Sequence, residues 1–270
     1  MPSLSCGRHG AGEPAVSAPT SVDLAESAQR NLNRFVAASF RDRVTVLGGQ
    51  SGVRLFFPDS ESLIVAADND AAVLRAASLS VMQHVPMVVL HDGVAQDLRS
   101  LIADMGVVRV LAVGADVGDV GVEVIVDPGT TEAMGKMTAF RPNEIEIASR
   151  DQAAAAVAAL DAHDYTELRA AWAPLGTLAG VKAKPLPAQS PRDGQMAPVV
   201  VATAKTPLAA VANARAFGAK VRVLSNPDPR VSVADCAMVA GLEDGPLVAL
   251  GPEFGSSHLL RDRIRQCWDE

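Results

Sequence analysis

Polar residues with chemical potential gather where short apolar runs end. Asp68 and Asn69 follow Leu63-Ile64-Val65-Ala66, and His91 and Asp92 follow Met87-Val88-Val89-Leu90. Asp116 stands just beyond Gly114, Thr203 and Lys205 follow Val199-Val200-Val201-Ala202, and Ser225 and Asn226 follow Val221-Arg222-Val223-Leu224. Ligands of an open parallel sheet meet the carboxyl ends of its strands, so these positions are the expected binding residues. They offer a cation, an imidazole, hydroxyls, amides and carboxylates. His91-Asp92-Gly93 is the most suggestive group, because it joins an acid–base side chain to a carboxylate. Neighbouring residues seldom act on one another, and Asp92-Gly93 also suits a turn or helix cap. A binding role is therefore expected at these strand ends, and no catalytic residue is assigned.

Other chemistry finds little footing in the sequence. Val46-Leu47-Gly48-Gly49-Gln50-Ser51-Gly52 is a strand running into a glycine-rich turn. Such a turn can cradle phosphate, but neither the dinucleotide fingerprint nor a P-loop lysine is present, so a tight turn is expected. No nucleophile elbow, HExxH helix or His/Cys/Asp/Glu metal spacing occurs, and no cofactor is expected. His84 falls at a helix end, where the dipole favours a cation. Arg261, Arg263 and Arg265 lie around the last helix and read as a solvated face.

The elements that carry these residues alternate. Apolar strands are expected at 63–66, 87–90, 107–113 and 122–126, with helices at 71–83 and 94–105 between them. Leu55-Phe56-Phe57 reads as a further short strand, and 24–38 as a helix. Between 134 and 195 the rhythm breaks: a strand is expected at 144–147, a helix at 151–160, and a second helix holding Tyr165, Leu168 and Trp172. Lys182 to Gly194 carries three prolines and reads as a linker. Strands then return at 199–202, 221–224 and 247–250, with helices at 207–217, 231–239 and 257–268. Wholly apolar strands alternating with helices mean Rossmann-like α/β modules built on parallel sheet.

The modules look duplicated. Val65-Ala66 matches Val201-Ala202 at a spacing of 136 residues, Val88-Val89-Leu90 matches Arg222-Val223-Leu224 at 134, and Leu111-Ala112-Val113-Gly114 matches Val248-Ala249-Leu250-Gly251 at 137. The expected units are a tether at 1–26, a first module at 27–133, a connecting segment at 134–195 and a second module at 196–270.

Ser62 to Ala115, and less closely Pro198 to Phe254, resemble the cell wall-binding repeat type 2 family. The resemblance rests on an apolar strand, an Ala-rich helix (Asp70-Ala71-Ala72-Val73-Leu74), the strand Val85-Pro86-Met87-Val88-Val89-Leu90, a helix ending in Gly106 and a strand ending in Val113-Gly114. It implies small α/β repeats that hold an exported protein on a bacterial wall by contact with an anionic wall polymer.

Composition narrows the partners. Asp and Glu number 31 against 24 Lys and Arg, a net charge of −7, which argues against a nucleic-acid partner. No apolar run is long enough for a transmembrane span. Residues 1–26 are rich in Ser, Ala, Pro and Gly and read as a disordered tether. Cys6-Gly7 followed by that tether is similar to the start of a mature lipoprotein. Cys236 and Cys267 either pair in an oxidising compartment or pack as thiols. The leading expectation is a non-catalytic exported envelope protein that binds a wall polymer. The rival is a cytoplasmic enzyme or sensor taking a nucleotide or phosphosugar at the strand ends.

Overall fold

Val, Ile and Leu run without polar interruption through Ser62–Ala67 (β2), and all but the last residue of this strand are buried. A strand buried on both faces needs helices above and below, which is what a parallel sheet with crossovers supplies. The structure, a computed structural model, describes residues 21–40, 44–47, 52–91, 95–192 and 194–268. Its sheets are parallel throughout. In the first, β2 is flanked by Met87–Leu90 (β3) and Arg109–Val113 (β4), and Glu123–Val126 (β5) completes the order β3-β2-β4-β5. Helices Asp70–Gln83 (α3) and Ala95–Met105 (α4) form the crossovers. The second sheet has Val199–Thr203 (β8) between Val221–Leu224 (β9) and Leu247–Leu250 (β10). Leu208–Phe217 (α7) and Val233–Val239 (α8) connect these strands, and Ser257–Trp268 (α9) closes the chain's regular structure. Residues 62–67 and 199–203 therefore hold like positions in their sheets, each central strand flanked by the next two in sequence.

The outer strand of the second sheet comes from an unexpected place. Thr45–Leu47 (β1) pairs in parallel with β10, Thr45 opposite Val248 and Leu47 opposite Leu250. Helix Ser21–Leu32 (α1) also packs on α8, where Asn31 donates from Nδ2 to Ala240 O at 2.9 Å and accepts from Arg222 Nη1 at 2.7 Å. Residues 27–32 and 44–47 thus pack with the second sheet, whereas the expected boundary placed them in the first module at 27–133. Helix α1 starts at Ser21, inside the segment read as tether, and ends at Leu32 rather than Ala38. Residues 1–20, with Cys6, lie outside the described residues.

Two local expectations are corrected. Leu55-Phe56-Phe57 is not a strand: Gly52–Phe56 (α2) is a short helix. Its turn delivers Phe56 and Phe57 into an aromatic cluster with Phe40 and Phe217, centroids 5.4 to 6.4 Å apart. Tyr165 to Trp172 is not a helix either. Thr166–Ala170 (β7) pairs in parallel with Asn143–Ile147 (β6), and the pair is joined by Arg150–Ala159 (α6). Thr131–Thr138 (α5) precedes them, capped by the Thr130 hydroxyl, which accepts from Ala133 N at 3.0 Å. The segment read as a linker is strapped down instead of spanning freely. Leu186 N donates to Met137 O and Gln189 N to Gln83 O, each at 2.9 Å.

Helix α3 is the hub. Every residue from Ala71 to Gln83 is buried, because the helix meets β2, β7 and α7 on different sides. A helix apolar all round belongs in such a place. The Ser78 hydroxyl donates to Leu74 O at 3.1 Å and accepts from Leu168 N at 2.9 Å, fixing β7 against the helix. Arg75 breaks the apolar run, only 2% exposed. Its Nε and Nη2 donate to the two oxygens of Asp127 at 2.5 and 2.9 Å, Nη1 donates to Glu167 Oε1 at 2.5 Å, and Nη2 also reaches Thr130 O at 2.8 Å. Burial pulls the Arg75 pKa down, but hydrogen bonds and charge from Asp127 and Glu167 outweigh it and hold the pKa above its ordinary value.

The two halves also share an amide. Asn213 of α7 accepts from Met87 N at 2.7 Å and donates to Met87 O at 2.8 Å, standing where a further strand would pair with edge strand β3. Asn213→Ala leaves both buried groups unpaired and is expected to cost about 2 kcal/mol. Urea denaturation checks this; an unchanged midpoint at unchanged slope would show that water replaces the amide.

Candidate functional site

Parallel pairing builds the centre of the site. Ala67 of β2 lies opposite Leu90 of β3, so the residues that follow them emerge side by side. Asp68 Oδ2 accepts from His91 Nδ1 at 2.7 Å, with both side chains about half exposed. A carboxylate can only accept, so this contact places the proton on Nδ1 and leaves Nε2 for a second partner. Sequence reasoning paired His91 with Asp92, which lies outside the described residues. The partner in the structure is 23 residues upstream, and only strand register could have found it. His91 also borders a small apolar cavity of about 90 Å³, shared with Val88 of β3 and with Pro207 and Ala210 of the opposite half.

The other expected residues of this sheet serve the chain itself as well. Asn69 caps α3, its Oδ1 accepting from Ala72 N at 3.0 Å. Beside it, Asp70 accepts from Trp172 Nε1 at 2.7 Å and pairs with Arg150. Asp116 accepts from Gly118 N at 3.0 Å in an exposed turn.

At the second sheet the hydroxyls are turned inward. Thr203 Oγ1 donates to Glu253 Oε1 at 2.7 Å and accepts from Lys205 N at 3.2 Å. Thr206 Oγ1 accepts from Thr203 N at 2.8 Å and lies 2.7 Å from Leu250 O and 2.9 Å from Glu253 Oε1. Ser225 Oγ donates to Asp235 Oδ2 at 2.6 Å, while Ser225 N and Asn226 N reach the two oxygens of that carboxylate at 2.9 and 3.2 Å. Asp235 is 2% exposed, so this carboxylate organises the loop after β9 from within. Neither Asp235 nor Glu253 was singled out from sequence. The available signal was an acid in the first turn of the apolar helix Val233–Val239. Of the expected residues, Asp68, Asn69, His91, Asp116, Lys205 and Ser225 are exposed, although Asn69 and Ser225 already serve the chain's own hydrogen bonds.

Two further observations bear on function. Cys236 of α8 and Cys267 of α9 form a disulfide with Cα atoms 5.9 Å apart. Among the described residues no group of His, Cys, Asp and Glu could hold a metal ion, and no helix is long and apolar enough to cross a membrane. The chain matches no family model, no curated protein and no solved structure, so its likeness to the wall-binding repeats rests on the motifs quoted above.

Proposed function

We propose that this chain is an exported protein of a bacterial envelope that holds an anionic wall polymer through polar groups at its strand ends. The Cys236–Cys267 disulfide carries the reading. Structural disulfides persist outside the reducing cytosol, so the bond favours export over a cytoplasmic role. Two parallel sheets with matching central strands support repeated modules, and repetition suits a polymer. His91 and Lys205 then supply donors to the polymer's charged groups, each with a small contribution and with avidity providing retention.

The test is co-sedimentation of the full chain with purified wall polymer. His91→Ala and Lys205→Ala are each expected to weaken binding roughly two- to fivefold, the scale of exposed charge contacts, with circular dichroism unchanged. Failure of the wild type to bind any wall polymer would end this reading. The Asp68–His91 pair favours one rival, a site that processes a nucleotide or phosphosugar. That rival predicts turnover on a panel of such compounds, falling about 10²- to 10⁴-fold in His91→Ala.

A further inference from the structure

Beyond the strand ends, a cavity of about 450 Å³ opens between α3, β7 and the loop at 171–177. It is lined by Arg75, Glu146, Glu167 and Arg169 together with Ala, Pro and Leu side chains. Its roof is fixed. Leu178 N donates to Pro128 O at 3.0 Å, and Gly129 (φ +83°) approaches Gly176 so closely that a Cβ would sit 2.5 Å from the Gly176 carbonyl. The loop therefore stands off β7 without collapsing onto it.

Once the partners of its two arginines are counted, the charges around the cavity do not balance. Arg75 is shared between Asp127 and Glu167. Arg169 is shared between Glu144 at 3.2 Å and Glu167 at 3.4 Å. Two guanidiniums thus serve three carboxylates, and exposed Glu146 on the rim adds a fourth. Glu167 is 2% exposed, and its Oε2 is buried with no hydrogen-bond partner. An orphaned buried carboxylate oxygen is costly and calls for a donor. Glu167 lines the cavity, so a ligand held there is placed to supply the missing donor.

We propose that this cavity binds a small organic molecule carrying a protonated amine, with Glu167 as its buried acceptor and Glu146 as its rim partner. The volume suits a ligand of monosaccharide or diamine size. Glu167 is buried, and a charge pairing at so low a local dielectric is strengthened, which favours a cation over a neutral hydroxyl. This site does not depend on the wall-polymer reading.

The experiment is calorimetric titration of the full chain with putrescine and glucosamine, beside their neutral counterparts 1,4-butanediol and glucose. The amines are expected to bind at least tenfold more tightly than the neutral compounds, and to shift the backbone amides of Thr130, Ala171, Ala173, Leu175 and Thr177 in NMR spectra. Glu146→Gln, on the exposed rim, is expected to weaken amine binding about threefold with the spectrum otherwise intact. Glu167→Gln is expected to abolish it; if that variant does not fold, the rim variant and the shift map still decide. Equal binding of amines and neutral analogues, amide shifts elsewhere, or no amine binding at millimolar concentration would each overturn the proposal, the last leaving Oε2 to an ordered water.

Discussion

Replacing Arg75 with alanine is expected to destabilise the chain by about 3 to 5 kcal/mol, a large share of the 5 to 15 kcal/mol that typically holds a domain together. The cost arises less from attraction lost than from what is left behind. Asp127 and Glu167 are each about as buried as the arginine, and without it they face one another's charge in a low-dielectric interior. Thr130 O loses one of its two donors in the same step and keeps Met134 N, at the turn that starts α5. Guanidinium denaturation of Arg75→Ala measures the loss. Adding Asp127→Asn and Glu167→Gln should restore part of it, because replacing a whole buried ionic group is far cheaper than removing one member. A single variant within 1 kcal/mol of wild type would show that water reaches the triad.

The second large effect is expected from the disulfide. Cys236 and Cys267 are 31 residues apart, and closing a loop of that length removes unfolded-chain entropy equivalent to about 3.5 kcal/mol. Cys236→Ala with Cys267→Ala is expected to lower stability by that amount, and reductant should move the wild-type midpoint to the same value. The local reason is plain: α9 buries only Leu260 and Ile264 along its length, so the crosslink carries much of its attachment to α8. Wild-type midpoints indifferent to reductant would contradict this. So would free thiols found by alkylating the protein as recovered from cells, and that result would also remove the ground for export.

Long-range burial decided what was readable from sequence. Strands at 62–67, 87–90, 109–113, 199–203, 221–224 and 247–250 stood out as apolar runs, because a strand covered on both faces needs no polar alternation. Residues 55–57 misled because two phenylalanines before a proline look like a strand edge. What they serve is an aromatic cluster completed by Phe217, about 160 residues away. Thr166–Ala170 misled because Tyr165, Leu168 and Trp172 stand at helical spacing, although the sequence of its partner strand alternates cleanly. The site was legible as a set of strand ends but not as contacts. Asp68 meets His91 only through register, Asp235 acts from inside, and Glu253 acts from a half-buried position. Arg75 carried a usable signal, a single charge within the apolar Ala72–Ala77 stretch of a helix buried on every side. Such a charge must find carboxylates of its own.

The pairing of β1 with β10 sets a clock. Thr45 and Val248 lie 203 residues apart, and at about 5 to 20 residues per second roughly 10 to 40 s of synthesis separate them. Throughout that interval β1 has no partner, while everything needed for the β3-β2-β4-β5 sheet is made well before the interval ends. The early sheet can form on the ribosome, but the later one is sealed only after β10 has been made. Strand β1 is made before β2 to β5 but paired after them, and the half of the molecule that holds it stays unfinished until β10 emerges.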